Sequence, residues 1–246
     1  MILFLCAAAA TAGFFDAIAG GGGLIQLPAL MVGLQDKPVV NVLGTNKFAS
    51  IFGTANAANR YRKQVQIDKK FLASMMVPAF FGSMGGAALA SKVPTEQMRV
   101  VVLIALIAIF IYTALNPKLG HEENQKLDYK VAAIAGLGIG FYDGIFGPGT
   151  GTFLMAVLVG ALGFGFLSAS AIAKFTNVAT NLAAIIIFAK AGVILWGIGA
   201  ALAISNIIGS TIGSQMAIKG GSPLVRKVFL LMTAALIAKV GFDVVN

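Results

Sequence analysis

Long apolar stretches separated by short charged connectors dominate the chain. The apolar runs cover residues 1–34, 38–59, 70–91, 98–115, 129–164, 168–189, 192–218 and 222–243. At about 1.5 Å per residue, 22 helical residues extend about 33 Å, which is enough to cross a hydrocarbon core about 30 Å thick. The pattern therefore predicts an all-α polytopic membrane protein.

The first and fifth apolar runs are too long for one simple membrane span, and glycines interrupt both. Gly20 to Gly23 break the first run, and Gly147, Pro148 and Gly149 break the fifth. Glycine and proline weaken or end helices because of their backbone conformations. We therefore expect each of these units to be a broken helix.

The two breaks belong to an internal duplication. When the chain is shifted against itself by 127 residues, 25 of the 102 pairs between 13–114 and 140–241 are identical without a gap. The identities include Asp16 with Asp143 and Lys47 with Lys174, which shared apolar composition does not explain. The sequence predicts a first transmembrane repeat at 1–116, a charged linker at 117–128 and a second transmembrane repeat at 129–246. Each repeat has four long apolar units, the first of them broken.

Charges in the connectors bear on the orientation of these repeats. The connector from Arg60 to Lys70 carries five basic residues, whereas its counterpart near Lys190 carries one. Cytoplasmic loops of membrane proteins accumulate Lys and Arg, and an odd number of passes per repeat inverts the second copy. The inequality favours inverted repeats with the five-charge connector in the cytoplasm, in a multi-pass protein of the cell membrane.

The amino-acid composition argues against several classes of function. Of the residues, 58% are hydrophobic and only 11% are charged, against about 25% charged in ordinary soluble domains. The mean hydropathy is +0.90. The connectors are too short for a domain that binds ATP, and no Ser/His, Cys/His or paired-Asp motif has catalytic spacing. We therefore expect a protein that is not an enzyme and that uses no cofactor.

The net charge of +9 comes from 18 basic and 9 acidic residues. Most of the basic excess lies in connectors, without the interleaved aromatic residues of a nucleic-acid surface. The expected partners are the lipid bilayer and a small solute, not nucleic acid, and a homodimer is compatible with the sequence. Cys6 and His121 are single residues of their kind, so we expect no metal site.

Four charged residues lie inside apolar segments: Asp16, Lys47, Asp143 and Lys174. Each such charge costs about 2.5 to 3.5 kcal/mol at the centre of a membrane helix on insertion scales. One interpretation pairs each Asp with a Lys as a structural clamp between helices. The other places both lysines on a water-accessible cavity, where two cations meet a small dianion, with Asp16 and Asp143 exchanging protons.

Polar neighbours at helical spacing favour the cavity. Lys47, Ser50 and Thr54 share one helix face, and Lys174, Asn177 and Asn181 share another. A polar stripe that avoids lipid must face protein or water. The Gly-rich breaks add a second element, because a half-helix that starts in the membrane presents free N–H groups and a positive dipole end to anions. Candidate ligands beside the lysines are Gly22, Gln26, Asn46, Gly149, Thr150, Thr152 and Asn177.

Other features indicate structure more than chemistry. Gly82 and Gly86, repeated as Gly209 and Gly213, form small-xxx-small faces for close helix packing. The polar residues from Ser205 to Gln215 either line a pathway or bond neighbouring helices. Arg99 and Arg226 begin the last helix of each repeat and are expected to anchor it at the membrane interface.

The duplicated pattern Gly-Phe-x-Asp-x-x-x-Gly-x-Gly, at Gly13 to Gly22 and Gly140 to Gly149, resembles the TauE/SafE family of sulfite exporters and related organosulfur anion permeases. Thr45-Asn46-Lys47 and its partner Lys174 also match, although the second repeat has Ile172-Ala173 before its lysine. The resemblance implies secondary transport of a small sulfur-containing oxoanion such as sulfite or sulfoacetate. It covers nearly the whole chain.

The leading hypothesis from the sequence is an exporter of such an anion that works by alternating access between the two repeats. A passive anion channel would need the same lysines and a polar lumen, and a carrier for a different small anion would need the same site. These alternatives stay open at the level of sequence.

Overall fold

The structure is a computed structural model that describes residues 1–90, 95–120 and 124–245, with the side chains of 95–102, 105 and 243–245 outside the described set. His121 and the side chain of Arg99 therefore lie outside the described residues. All regular structure within these ranges is helical. The helices are α1 Ile2–Ala19, α2 Gly23–Gly33, α3 Val39–Tyr61, α4 Lys69–Leu89, α5 Thr95–Leu115, α6 Tyr129–Ile145, α7 Thr150–Gly160, α8 Phe166–Lys190 and α9 Trp196–Val245.

The helix starts follow the 127-residue spacing of the sequence identities. It separates Ile2 from Tyr129, Gly23 from Thr150, Val39 from Phe166 and Lys69 from Trp196. The predicted breaks are present, so that α1 is followed by the 11-residue α2 and α6 by the 11-residue α7. Gly20 and Gly147 adopt φ of 81° and 89° in these breaks, a left-handed region that favours glycine.

The apolar runs 192–218 and 222–243 form two helical arms that meet at a kink and are numbered together as α9. Gly221, with φ 60° and ψ −165°, is its single non-helical residue. We call residues 196–220 the first arm of α9 and residues 222–245 the second arm. The backbone freedom of glycine explains how the chain changes direction here without a connector.

Helices α3 and α8 pack at the centre in antiparallel orientation. Near the start of α3, the Asn41 amide donates to the Val193 carbonyl just after α8 (3.0 Å). At the other end of α3, the Tyr61 hydroxyl accepts a hydrogen bond from Ser170 near the start of α8 (3.4 Å). These two helices therefore run in opposite directions.

One end of the bundle collects the long connectors. The Lys126 amide donates to the Leu162 carbonyl (2.8 Å), and the rings of Phe71 and Phe164 stack with centroids 5.2 Å apart. We call this the basic end, because it carries Arg62, Lys63, Lys69, Lys70, Lys118, Lys126, Lys130, Lys219 and Lys227. The connectors 34–38 and 191–195 lie at the opposite end.

Close helix contacts explain the repeated glycines. A Cβ at Gly82 or Gly86 would collide with backbone carbonyls of Leu137 and Phe141 in α6. A Cβ at Gly209 or Gly213 would likewise collide with the carbonyls of Ala10 and Phe14 in α1. The packing role predicted for these small-xxx-small faces is confirmed. Arg226 donates to the Thr113 carbonyl (2.7 Å) and so ties α9 to the end of α5.

Three helices in the described part of the chain, α1, α4 and α8, are long and apolar enough to cross a membrane. They are 18, 21 and 25 residues long. Helix α8 is the most enclosed of the three, since 67% of its most apolar window is buried inside the protein against 39% for α1 and 33% for α4. Its polar residues Lys174, Asn177 and Asn181 therefore face protein.

Candidate functional site: a polar cavity between two broken helices

A polar cavity of about 40 Å³ lies where the two broken helices meet. Gly20 and Gly151 are in direct contact there, since a Cβ on Gly20 would lie 2.7 Å from the Gly151 Cα. The glycines are thus required for the backbones of the two breaks to approach. The cavity is lined by Ala12, Asp16, Gly21, Gly22, Gly23, Gln26, Asn46, Lys47, Ser50, Thr54, Asp143, Gly147, Gly149, Thr150, Gly151, Asn177, Asn181 and Asn206.

The N-termini of α2 and α7 both open onto this cavity. Neither Gly22 nor Gly149, the residues before these helices, supplies a side-chain cap. Backbone carbonyls already accept hydrogen bonds from some first-turn amides, those of Leu24 and Ile25 in α2 and Thr150 in α7. The N-terminus of each helix still carries its positive dipole end. The cavity therefore has two sources of positive potential that contain no charged residue.

Lys47 and Asp143 form a buried ion pair on the cavity wall. The Lys47 Nζ lies 2.7 Å from the Asp143 Oδ1, and the side chains are 4% and 6% exposed. The Thr150 hydroxyl lies 2.6 Å from the same Oδ1 and 2.7 Å from the Gly147 carbonyl oxygen. These contacts fix the carboxylate beside the N-terminus of α7.

Lys174 and Asp16 form the second ion pair, with Nζ and Oδ2 2.9 Å apart. Lys174 is completely enclosed, whereas the Asp16 side chain is 21% exposed. The Thr54 hydroxyl and the Gly22 amide approach Asp16 only to 3.4 Å. Lys174 does not line the cavity, so the expectation of two lysines facing it holds for Lys47 alone. The reason is that Asp16 lies between Lys174 and the open space.

Both ion pairs connect the two halves of the chain. Lys47 on α3 binds Asp143 on α6, and Lys174 on α8 binds Asp16 on α1. The clamp interpretation is therefore correct about pairing, and the four charges sum to zero. A buried pair avoids most of the cost of an isolated charge, but removal of one partner leaves that cost in full.

Several buried polar atoms in the cavity have no protein partner. Among the described residues they are one donor, the Gln26 Nε2, and three acceptors, the Asp143 Oδ2 and the Oδ1 atoms of Asn46 and Asn177. Buried polar groups in folded proteins are normally hydrogen-bonded to protein or water. The cavity thus offers donors and acceptors that a polar guest can satisfy.

The structure gathers most of the predicted site residues. Gly22, Gln26, Asn46, Gly149, Thr150 and Asn177 join Asp16, Lys47 and Asp143 on the cavity wall. Thr152 is fully buried but does not line the cavity, because it follows the first residues of α7 and faces the protein. Its role as a substrate ligand therefore loses its geometric basis.

Ser50, Thr54, Asn181 and Asn206 line the cavity although sequence reasoning did not select them as ligands. The first three lie on the polar stripes that pointed to the lysines, so that signal was available. Asn206 was visible only as part of the polar segment of α9. Its amide donates to the Gln26 carbonyl oxygen at 2.8 Å. Among the described residues, no group of three His, Cys, Asp or Glu side chains could hold a metal ion.

A charged, polar cavity between broken apolar helices is typical of membrane proteins that bind a polar solute within the bilayer. The chain matches the family described as "Sulfite exporter TauE/SafE" over residues 5–240, and it belongs to this family. It is a membrane transporter.

Similar proteins carry transporter names. The chain is 35% identical over 238 residues to the "Probable membrane transporter protein ORF9" of Sinorhizobium sp, covering 96% of this chain and 90% of the relative. It is 36% identical over 236 residues to the "Probable membrane transporter protein YfcA" of Escherichia coli K12, covering 94% and 86%. A probable membrane transporter protein of Haemophilus influenzae is 34% identical over 234 residues, covering 94% and 91%. No solved structure matches the chain.

Proposed function

We propose that this protein is a multi-pass secondary transporter of the cell membrane that exports a small sulfur-containing oxoanion, with sulfite as the best-fitting substrate. The observation that carries the proposal is the cavity beside Lys47, onto which the uncapped N-termini of α2 and α7 open. Lys47 supplies the charge, the helix N–H groups and the Gln26 amide supply hydrogen bonds, and Asn46 and Asn177 complete the set. Helix N-termini and lysine are established ways to bind oxoanions.

The size of the cavity supports a small substrate. A volume of about 40 Å³ is small for a substrate site. Sulfite has four non-hydrogen atoms and matches this space. Sulfoacetate requires the cavity to widen, and an aromatic sulfonate does not fit this conformation.

Charge balance favours coupling to a proton. In this structure Asp143 neutralises Lys47, so an incoming anion competes with the carboxylate for the ammonium group. Protonation of Asp143, whose Oδ2 has no partner, frees Lys47 for the anion. Proton and anion then bind together.

The antiparallel packing of α3 and α8 supports an inverted-repeat architecture of two units. Each half would then contribute one broken helix and one Lys to the centre, and rocking of one half against the other would alternate access to the cavity. The accumulation of basic residues at the basic end supports a cytoplasmic location for that end.

The membrane potential favours export of this charge. A dianion with one proton carries one net negative charge, and an inside-negative potential of 100 mV drives it outward with about 2.3 kcal/mol. That energy supports a concentration gradient of about 50-fold. A potential-driven exporter therefore needs no ATP.

An anion panel tests the proposal. Purified protein is titrated with sulfite, sulfate, thiosulfate, sulfoacetate and taurine, and sulfite flux is measured in proteoliposomes. We expect sulfite to bind best and to be transported, and the double variant Lys47→Met/Asp143→Leu to do neither. Tightest binding of zwitterionic taurine, or sulfite flux that the double variant retains, would contradict the assignment.

Transport kinetics distinguish the proposed carrier from a passive channel. A carrier shows saturable flux and counter-transport, in which unlabelled sulfite on one side accelerates labelled sulfite from the other. A channel shows non-saturating conductance without this acceleration. We expect saturation and counter-transport, because the cavity is a small polar site lined by residues of several packed helices.

A further inference from the structure

A second polar pocket lies at the basic end, between α3 and the first arm of α9. Its volume is about 350 Å³, and it is lined by Asn56, Asn59, Arg60, Lys63, Gln64, Gln215, Ile218 and Lys219. None of its three basic side chains forms an ion pair with a carboxylate in the described ranges. The Arg60 Nε is buried and has no hydrogen-bond partner there. The pocket therefore holds uncompensated positive charge.

A polar strip connects this pocket with the central cavity. Thr54 and Asn206 line the cavity. Closer to the basic end, the Asn56 amide donates to the hydroxyls of Ser210 and Thr211, each at 2.9 Å. Arg60 lies 13 residues beyond Lys47 on α3, and Lys219 lies 13 residues beyond Asn206 on α9. Each separation is about 20 Å along the helix.

The equivalent interface in the other half of the molecule is less polar, although it retains Ser83, the counterpart of Ser210. The positions 127 residues after Asn56, Asn59 and Arg60 are Ala183, Ile186 and Ile187 in α8. The positions 127 residues before Thr211, Ser214 and Gln215 are Met84, Ala87 and Ala88 in α4. Helices α4 and α8 nevertheless pack against each other, with Ser83 donating to the Thr180 carbonyl at 2.7 Å.

This contrast separates packing from function. If helix packing required the polar strip, the less polar copy of the interface would not pack. The polar residues between α3 and α9 therefore serve a need that one side of the molecule has and the other lacks. Unpaired basic groups at a pocket mouth raise the local concentration of anions.

We propose that Arg60, Lys63 and Lys219 form a capture site for the small anionic substrate at the basic end, and that the polar strip is its path to the central cavity. This inference rests on the proposed function and adds a second, weaker anion site to it. Because the site is open, salt screens it strongly, whereas the buried central site is screened much less.

The test compares KM for sulfite from the two sides of oriented proteoliposomes. We expect the triple variant Arg60→Gln/Lys63→Gln/Lys219→Gln to raise KM about 10-fold from the basic end at about 10 mM salt, where the Debye length is about 30 Å. The rise disappears at about 1 M salt, where the Debye length is about 3 Å. The maximal rate stays unchanged. Lys219→Gln alone, at an exposed position, gives a smaller rise in the same direction.

Lys190→Gln is the matched control. Lys190 is exposed and stands 127 residues after Lys63, beside the less polar interface. This variant removes one positive charge, as Lys219→Gln does, and is expected to leave the KM for sulfite unchanged from both sides.

Three results would overturn the capture site. They are an unchanged KM in the triple variant, an equal rise from both sides, and a rise that occurs only in vesicles containing anionic lipid, which would identify a lipid headgroup as the occupant. Wild-type protein that transports no sulfite would instead contradict the proposed function itself. The two failures are therefore distinguishable.

Discussion

The ion pairs Lys47–Asp143 and Lys174–Asp16 occupy equivalent positions in the sequence but lie in different surroundings. Both join a lysine on a central helix to an aspartate on the helix before a glycine break in the other half. Lys47 faces the cavity, whereas Lys174 is sealed from it behind Asp16. Lys47 and Lys174 are therefore equivalent in sequence but differ in their access to the cavity in this conformation.

The residues around each pair account for the difference. Asn46 and Gln26 line the cavity, and the positions 127 residues later are Ala173 and Phe153. The second half contributes Thr150, Asn177 and Asn181 to the cavity, but the amides of Asn46 and Gln26 have no polar counterpart in it. We infer that Lys47 contacts the anion in this conformation and that Lys174 positions Asp16.

The largest expected effect is on sulfite flux, when both charged residues of one ion pair are replaced by apolar residues. Replacement of a whole buried ion pair by apolar residues is often neutral for stability. Lys47→Met/Asp143→Leu should fold but lose sulfite flux about 100-fold or more, because a buried charge contact to a ligand is worth about 2–5 kcal/mol. Lys174→Met/Asp16→Leu should retain flux within about 10-fold, because only the cavity wall changes. Flux in proteoliposomes at matched protein content measures both.

Equal losses in the two double variants would contradict the unequal roles. The melting temperature of each variant in detergent is the control for folding. A variant that melts far below the wild type is excluded from the comparison of flux, and the single variants below then decide.

The single lysine variants should differ in stability. Loss of one partner of a buried pair costs about 3–5 kcal/mol because the other charge stays buried. Lys47→Met strands Asp143, which is 6% exposed, whereas Lys174→Met strands Asp16, which is 21% exposed. We therefore expect the lower melting temperature for Lys47→Met, and recovery in each case when the stranded aspartate is also replaced by Leu. A lower melting temperature for Lys174→Met would show that the sealed pair is the stronger clamp.

Much of the fold follows from the pattern of apolar residues. The glycine breaks, the 127-residue offset and the helix starts could be predicted because each depends on local composition and spacing. The two arms of α9 were likewise predicted as separate apolar runs, whereas the sharp bend at Gly221 between them was not. The partners of Asp16 and Asp143 also required the three-dimensional arrangement, since each lies in the other half of the chain.

The candidate site was predictable as a set of residue types, and its asymmetry was not. Because Lys47 and Lys174 occupy equivalent sequence positions, both were expected to face the cavity. Their exposure differs because Asp16 covers Lys174, while the Lys47 Nζ lies near the open backbone of Gly147. Thr152 was selected for its hydroxyl, but the direction of a side chain on the first turn of α7 depends on where the break ends.

The aspartates should differ in their coupling to protons. Asp143→Asn removes the proposed proton-binding carboxylate beside Lys47, so sulfite flux should no longer respond to an imposed pH gradient. Asp16→Asn should keep this response, because Asp143 still exchanges the proton in the cavity. The measurement is the ratio of flux with and without a pH gradient at zero membrane potential. A response that survives Asp143→Asn would remove the proton from the proposed mechanism.

The smallest expected effect concerns Asn46 and its counterpart Ala173. Asn46→Ala removes a cavity carboxamide whose NH₂ group is a hydrogen-bond donor, and a net hydrogen bond of about 0.5–1.5 kcal/mol predicts a loss of sulfite affinity of about 2- to 12-fold. Ala173→Asn places the same group beside the sealed Lys174 and should give no gain in affinity, because Ala173 is fully buried away from the cavity. Titration of each purified variant with sulfite compares them. A gain of affinity in Ala173→Asn would mean that the anion also reaches Lys174, and the two ion pairs would then share the substrate.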